Sequence, residues 1–481
     1  MNQHPLAGLE PASVFQFFAE ICAIPHGSRN TKPISDYLVR FAQARHLKVR
    51  QDKLNNVIIW KDGTPGYEDH PPVILQGHMD MVCEKDPDCT INFLTDGLAL
   101  THDSENVFAR GTTLGGDDGI AVAYSLALLD ASDIPHPPLE VIITVDEEIG
   151  MLGAADIDLS DLKGRIMVNL DSEDEGILTV SCAGGARSTL KLPVTRSMVS
   201  GPCVIVEVGG LKGGHSGVEI DKNRCNASKA LGLLLQRITE TMPICLTSLS
   251  GGSQDNAIPR SCRAAFVAMG LELSEITRLA GTLQEEIRST YDEPDALITV
   301  SEADATGGLA LSTELSKKAA NLMCDLPNGI QAWSQDIQGL VQTSLNLGIA
   351  RLQDDCLSLT FSVRSSVNGE KEALLATLRR IAAEYGCEYS QMGDYPAWEY
   401  KKDSTLRVLM VDIFREMFGR EPEVVAIHAG LECGILSEKL PGLDCVSFGP
   451  QMHDIHTSRE KLDIASTARM WQYLTEILKR L

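Results

Sequence analysis

Four apolar runs in this 481-residue chain lead into residue types that hold divalent cations. VILQG leads to His78, VIITV to Asp146-Glu147-Glu148, IMVNL to Asp171, and CVSFGPQMHDI to His456, with His453 an alternative that spacing does not exclude. In open α/β sheets the carboxyl ends of strands form the ligand-binding edge, so residues far apart in sequence can converge there. His78 and Asp80, one residue apart, can point the same way from an extended segment. A carboxylate on the second imidazole nitrogen would then fix the tautomer of a metal-ligating His78. In GTTLGGDDGIAVAYS a Gly-rich turn enters an apolar helix at Asp117-Asp118. The helix-capping role suits Asp118, and Asp117 is left free to bridge two cations through its two oxygens. TVDEEIG ends a strand in three successive carboxylates, which repel one another unless a cation or water neutralises them. Metal chemistry would use Glu148 as a ligand and its neighbour Glu147 as the group that moves a proton; a solvated acidic loop is the plain alternative.

These residues need a scaffold, and the periodicity supplies one. Helices are expected over Ser13–Ile24 and Thr31–His46, near Asp118, and over Asn226–Thr239, Gly369–Tyr385, Thr405–Phe418 and Lys461–Leu481. Strands are expected at Val57–Trp60, Val73–Gln76, Leu139–Val145, Ile166–Leu170, Leu357–Val363 and Asp444–Phe448, with alternation at Val204, Val206 and Val208. The interleaving predicts an α/β domain with a mostly parallel mixed sheet flanked by helices. The pattern changes after Cys182 and returns beyond Pro396. This predicts a catalytic domain of residues 1–184 and 397–481, with an α+β lid domain inserted at 185–396.

Composition narrows the function. Apolar residues make up 43% and charged residues 22% of the chain, values of an ordinary globular protein able to bury a core. A net charge of −24 argues against nucleic-acid binding, which depends on clustered Lys and Arg. No segment has the length of a membrane span or the basic-then-apolar form of a secretion signal. Thirteen Cys without a C-x-x-C pair fit reduced thiols in the cytoplasm, and Cys433, although close to a suspected motif, is read as a small buried hydrophobe.

Taken in order, GHMD, GGDDG, DEEIG, NLDSE and HTSRE resemble the motifs of the M20 metallopeptidases. GLKGGHSGVEI, NAIPR and IHAGLECG are similar to the aminoacyl-histidine dipeptidase branch, and the likeness spans nearly the full chain. The resemblance implies two zinc ions, with cobalt or manganese as possible substitutes. Asp117 would bridge them, His78 with Asp171 would hold one, and Glu148 with His456 the other. It implies Asp80 as orienter of His78, Glu147 as general base, and His215 as donor to the oxyanion, carried there by closure of the inserted domain. Asn256, Arg260, Arg364 and the backbone at Gly430 would bind substrate, Arg364 by forking onto a carboxylate; Glu432 and His428 are weaker candidates. One departure stands out: many members have a Lys shortly after the bridging Asp, whereas Asp117 is followed by Asp118-Gly119.

The implied activity is hydrolysis of dipeptides, Xaa-His among them, by metal-activated water with a Glu general base, in a homodimer with small peptides as its partners. The alternatives are an N-acyl-amino-acid deacylase or tripeptidase on the same scaffold, and a metal-stabilised binding protein without turnover.

Overall fold

The computed structural model describes residues 4–270, 272–304 and 306–481. The chain forms two compact units. The first takes the chain up to Ser181 with Tyr400–Ala426 and Leu431–Leu481; the second takes Cys182–Glu399 with a short return at Ile427–Gly430.

The first unit has the expected α/β class. Its eight-stranded sheet runs in the order Lys48–Gln51, Val57–Lys61, Leu139–Thr144, Val73–His78, Ile166–Asn169, Asp444–Ser447, Ile177–Cys182, Glu423–Ile427. The four strands from Leu139–Thr144 to Asp444–Ser447 are mutually parallel, and antiparallel strands flank them. Strands of this kind are covered on both faces, which is why they read as unbroken apolar runs. Every residue of Val73–His78 and Leu139–Thr144 is buried. The helix between them, Gly116–Asp130, is buried at every position but the last. The helix Ile464–Arg480 instead shows one apolar stripe, Met470, Tyr473, Leu474, Ile477 and Leu478, at the spacing of a single helix face.

Register positions the functional edge. His78 lies level with Thr144, and Gln76 with Asn169, so Asp171, two residues past Asn169, follows its strand to the height of His78. A small antiparallel sheet pairs Met452–His453 with Lys461–Asp463 and the latter with Asn106–Ala109, closing the turn that contains His456. This corrects the expected start of the last helix. Lys461–Asp463 is a strand, and the helix begins at Ile464, with Asp463 accepting the Ser466 N–H at 2.6 Å as its cap.

The second unit is α+β. An antiparallel sheet runs in the order Leu297–Ala303, Cys203–Gly209, Cys262–Ala268, Ile244–Gly251, Val341–Leu352, Cys356–Ser365, Gly184–Pro193, Glu388–Tyr395. Its inward residues share one core with the apolar stripes of helices Ala227–Thr241, Leu273–Thr290, Thr313–Asp325 and Asn368–Glu384. Among the described residues no helix is long and apolar enough to cross a membrane.

Candidate metal centre

The edge of the first unit brings His78, Asp117, Glu148, Asp171 and His456 together. Asp117 is the hub. Its Oδ1 lies 3.2 Å from His78 Nε2 and its Oδ2 3.0 Å from His456 Nε2. Asp171 Oδ1 lies 3.7 Å from the same His78 nitrogen, and Glu148 Oε1 3.1 Å from the same His456 nitrogen. One carboxylate is thus divided between two half-sites, each completed by one imidazole and one further carboxylate.

These distances suit shared cations. Two ligands about 2.0–2.1 Å from one tetrahedral ion stand about 3.4 Å apart, and the four spacings fall around that figure. The charge pattern agrees. Burial disfavours charge on Asp117, yet its hydrogen bonds with His456 and His78 hold its carboxyl well below the usual range. Contact with Asp117 and then Glu148 raises His456 to about 10. Burial works against a proton on His78, but Asp117 and Asp80 hold its pKa well above the ordinary value. Burial, followed by the neighbouring carboxylates Asp118 and Asp117, pushes Asp171 well above its usual range. The surrounding carboxylates favour the charged form of both imidazoles, and that is the place a cation takes in a metal site.

Residues around the cluster follow their sequence positions less closely. Asp80 is buried at 1% exposure; it accepts hydrogen bonds from Ser28 Oγ at 2.9 Å and from the Glu147 N–H at 3.1 Å. The short contact of His78 Nδ1 is with the backbone oxygen of Asp80 at 2.9 Å, while the Asp80 carboxylate stands 3.5 Å away. His78 is therefore oriented by both groups of Asp80 rather than by the carboxylate alone. Burial raises Glu147 to about 7, with Glu148, Asp117 and Asp80 acting in the same direction. Asp118 does not cap the helix: its Oδ2 accepts the His78 N–H at 3.1 Å, which ties the helix entrance to the strand that supplies His78. His453 lies in the two-residue strand at the base of the turn and is exposed, so His456 is the histidine brought to the cluster.

Glu432, a weak substrate-binding candidate from sequence, is fully buried. It accepts hydrogen bonds from Gln76 Nε2 and Thr144 Oγ1, both at 2.6 Å, beneath the strand ends that carry the ligands. Burial and the charge of Glu147 raise its carboxyl to about 8. Its place is in the support of the edge, and Cys433 beside it is fully buried as expected.

In the second unit His215, Asn256 and Arg260 line one pocket of about 620 Å³. The backbone oxygen of Asn256 accepts the Ser216 N–H at 2.8 Å. His215 Nδ1 faces the N–H groups of Gly217 and Val218, each at 3.2 Å. On a neutral ring this places the proton on Nε2, leaving that atom as a donor. Burial and then the charge of Arg364 lower the pKa of His215, which favours the neutral ring. Arg364 Nη1 lies 3.5 Å from Tyr395 Oη, and a side chain at Gly430 would meet the same Tyr395 ring at 2.7 Å. His428 is buried against Ser344, its Nε2 2.7 Å from the Ser344 hydroxyl.

Known proteins share the sequence pattern and the fold. The family model described as peptidase family M20/M25/M40 matches residues 74–480. The chain is 34% identical over 479 residues to the cytosol non-specific dipeptidase of Escherichia coli K12, covering 99% of each. Its fold superposes on the aminoacylhistidine dipeptidase of Vibrio alginolyticus with a TM-score of 0.94 at 33% identity, over 99% of this chain and 98% of the other. An aminopeptidase of Bacillus cereus shares the fold at a TM-score of 0.57 and 16% identity, over 98% of both chains.

Proposed function

The chain belongs to peptidase family M20/M25/M40, and from that premise we propose that it is a metal-dependent dipeptidase acting on short dipeptides, Xaa-His pairs among them. The observation that carries this reading is the divided carboxylate of Asp117, with one oxygen toward His78 and the other toward His456. Two zinc ions are proposed for the half-sites, since imidazole and carboxylate suit zinc, with cobalt or manganese as substitutes. When bound, such ions polarise the scissile carbonyl and acidify water.

The chain's own groups do the rest. Glu147 takes a proton from the attacking water as its oxygen bonds to the carbonyl carbon, and returns that proton to the amine nitrogen as the C–N bond breaks. A carboxyl raised to about 7 can both accept and release a proton near neutrality. His215 is the proposed donor to the oxyanion, supported by the N–H groups that leave its Nε2 protonated. Arg364 is proposed to fork onto the substrate carboxylate, and Asn256, Arg260 and the Gly430 backbone to make further substrate contacts. A cytoplasmic, homodimeric enzyme completes the proposal; the name of the E. coli relative supports the location.

The test is a substrate comparison. Purified protein with added zinc should cleave alanyl-histidine and other free dipeptides, and a chelated control should not. Preferential turnover of N-acetyl amino acids or tripeptides would assign the scaffold to a different amide hydrolase. Zinc binding without turnover of any of these would leave a binding protein instead.

A further inference from the structure

Glu460 is a member of neither half-site, yet it is buried and fully engaged beside them. It is 2% exposed, and its carboxylate accepts four consecutive backbone N–H groups. Oε2 accepts from Leu114 at 2.7 Å and Gly115 at 3.0 Å; Oε1 accepts from Gly116 at 2.8 Å and Asp117 at 3.3 Å. Successive N–H groups turned to one side form an anion-binding concavity, and a carboxylate filling it makes charge-assisted bonds. The glycines permit this. Gly115 has a φ of +67°, and a Cβ on Gly116 would stand 3.2 Å from Glu460 Oε1 itself.

The same carboxylate anchors a second segment. Glu460 lies four residues after His456, whose φ of +60° is a conformation side chains rarely adopt. The turn containing His456 is held by the Thr457 hydroxyl, which donates to the Asp454 oxygen at 2.7 Å, and by the Glu460 N–H, which donates to the Thr457 oxygen at 3.2 Å. Its far end is fixed to the Gly-rich turn through the Glu460 cradle, and the Ser458 hydroxyl donates to Asp86 at 2.5 Å. His78 and Asp171, by contrast, extend from adjacent parallel strands.

We infer that Glu460 is a positioning residue that sets the Asp117 carboxylate and the His456 imidazole against each other, and so governs the half-site completed by Glu148. This inference rests on the metal-centre reading. A carboxamide at 460 offers one acceptor oxygen and turns an NH₂ toward backbone donors, so the cradle loosens while the strand-borne half-site keeps its support.

The test is chelator competition on zinc-loaded protein, with retained metal counted per chain for wild type, Glu460→Gln and Glu460→Asp. Wild type should retain two ions. Glu460→Gln should release one ion at roughly tenfold to a hundredfold less chelator, the range seen when groups that support metal ligands are altered, and hold the other within about threefold of wild type. Its turnover should rise toward the wild-type value as free zinc is increased. Glu460→Asp, a shorter carboxylate that keeps the charge, should fall between the two, and it supplies the same comparison if Glu460→Gln fails to fold. Equal retention of both ions in variant and wild type, or equal weakening of both, would overturn the inference. Failure of wild type to retain two ions is a separate result and counts against the metal centre itself.

Discussion

Asp117 and Glu147 are near neighbours in space with opposite demands, and their variants should separate. Glu147→Ala removes the proposed proton carrier and leaves the ligand cluster whole. It should keep two metal ions by elemental analysis and lose turnover by a factor of about 100 to 10,000, the usual worth of a positioned acid–base group. Asp117→Ala removes the carboxylate shared by both half-sites and should lose metal as well as turnover. Near wild-type turnover in Glu147→Ala would remove it from the mechanism. His215→Ala should lower kcat by a factor of about 100 to 1,000 at unchanged metal content, as loss of an oxyanion donor does. Four of the five clustered residues were visible in the sequence because each follows an apolar run, where chain direction and side-chain type coincide, and Asp117 was visible because a Gly-rich turn enters an apolar helix there. Glu460 was not, because its partners are backbone N–H groups more than 340 residues earlier, which leave no mark on residue type. The burial of Glu432 was not legible for a related reason: the side chains that hold it, Gln76 and Thr144, lie far earlier in the chain.

At the scale of elements, the parallel strands were the most legible part of the chain, since burial on both faces produces continuous apolar runs. Much of the second unit was less so. Its antiparallel strands alternate, and only Val204, Val206 and Val208 or the LSLTFSV segment alternate cleanly enough to be seen. The return of Ile427–Gly430 to that unit is four residues long, too short to have a periodicity. One helix there has its start fixed by a buried polar side chain. Asn226 caps Ala227–Thr241 by accepting the Ser228 and Lys229 N–H groups at 3.0 and 3.2 Å, and it donates to Asn346 Oδ1 and the Leu347 oxygen, both at 3.0 Å. Asn226→Ala should therefore cost more than an ordinary cap, about 2–3 kcal/mol, because the cap and the buried carbonyl partner are lost together. Urea unfolding monitored in the second unit checks this; a loss under about 0.5 kcal/mol would mean that water replaces the side chain at no cost.

For the whole molecule, metal and proton compete for the same place. His456 is raised to about 10 by Asp117 and Glu148, so in the metal-free chain its ion pairs stabilise the fold fully below the unfolded value near 6.5 and lose that contribution as pH rises through about 10. A bound cation requires the unprotonated ring and reverses the sign: each displaced proton makes binding up to about tenfold tighter per pH unit gained below that value. The rise in melting temperature on adding zinc should accordingly be larger at pH 8 than at pH 6. A rise that is the same at both values would mean that no imidazole proton is displaced. The most direct test of the centre is anomalous diffraction at the zinc edge from crystals of the zinc-loaded protein. Two peaks about 3.5–4 Å apart are expected, one beside His78 and Asp171, the other beside Glu148 and His456, with Asp117 between them. A single peak, or peaks away from these side chains in protein that cleaves dipeptides, would contradict the account.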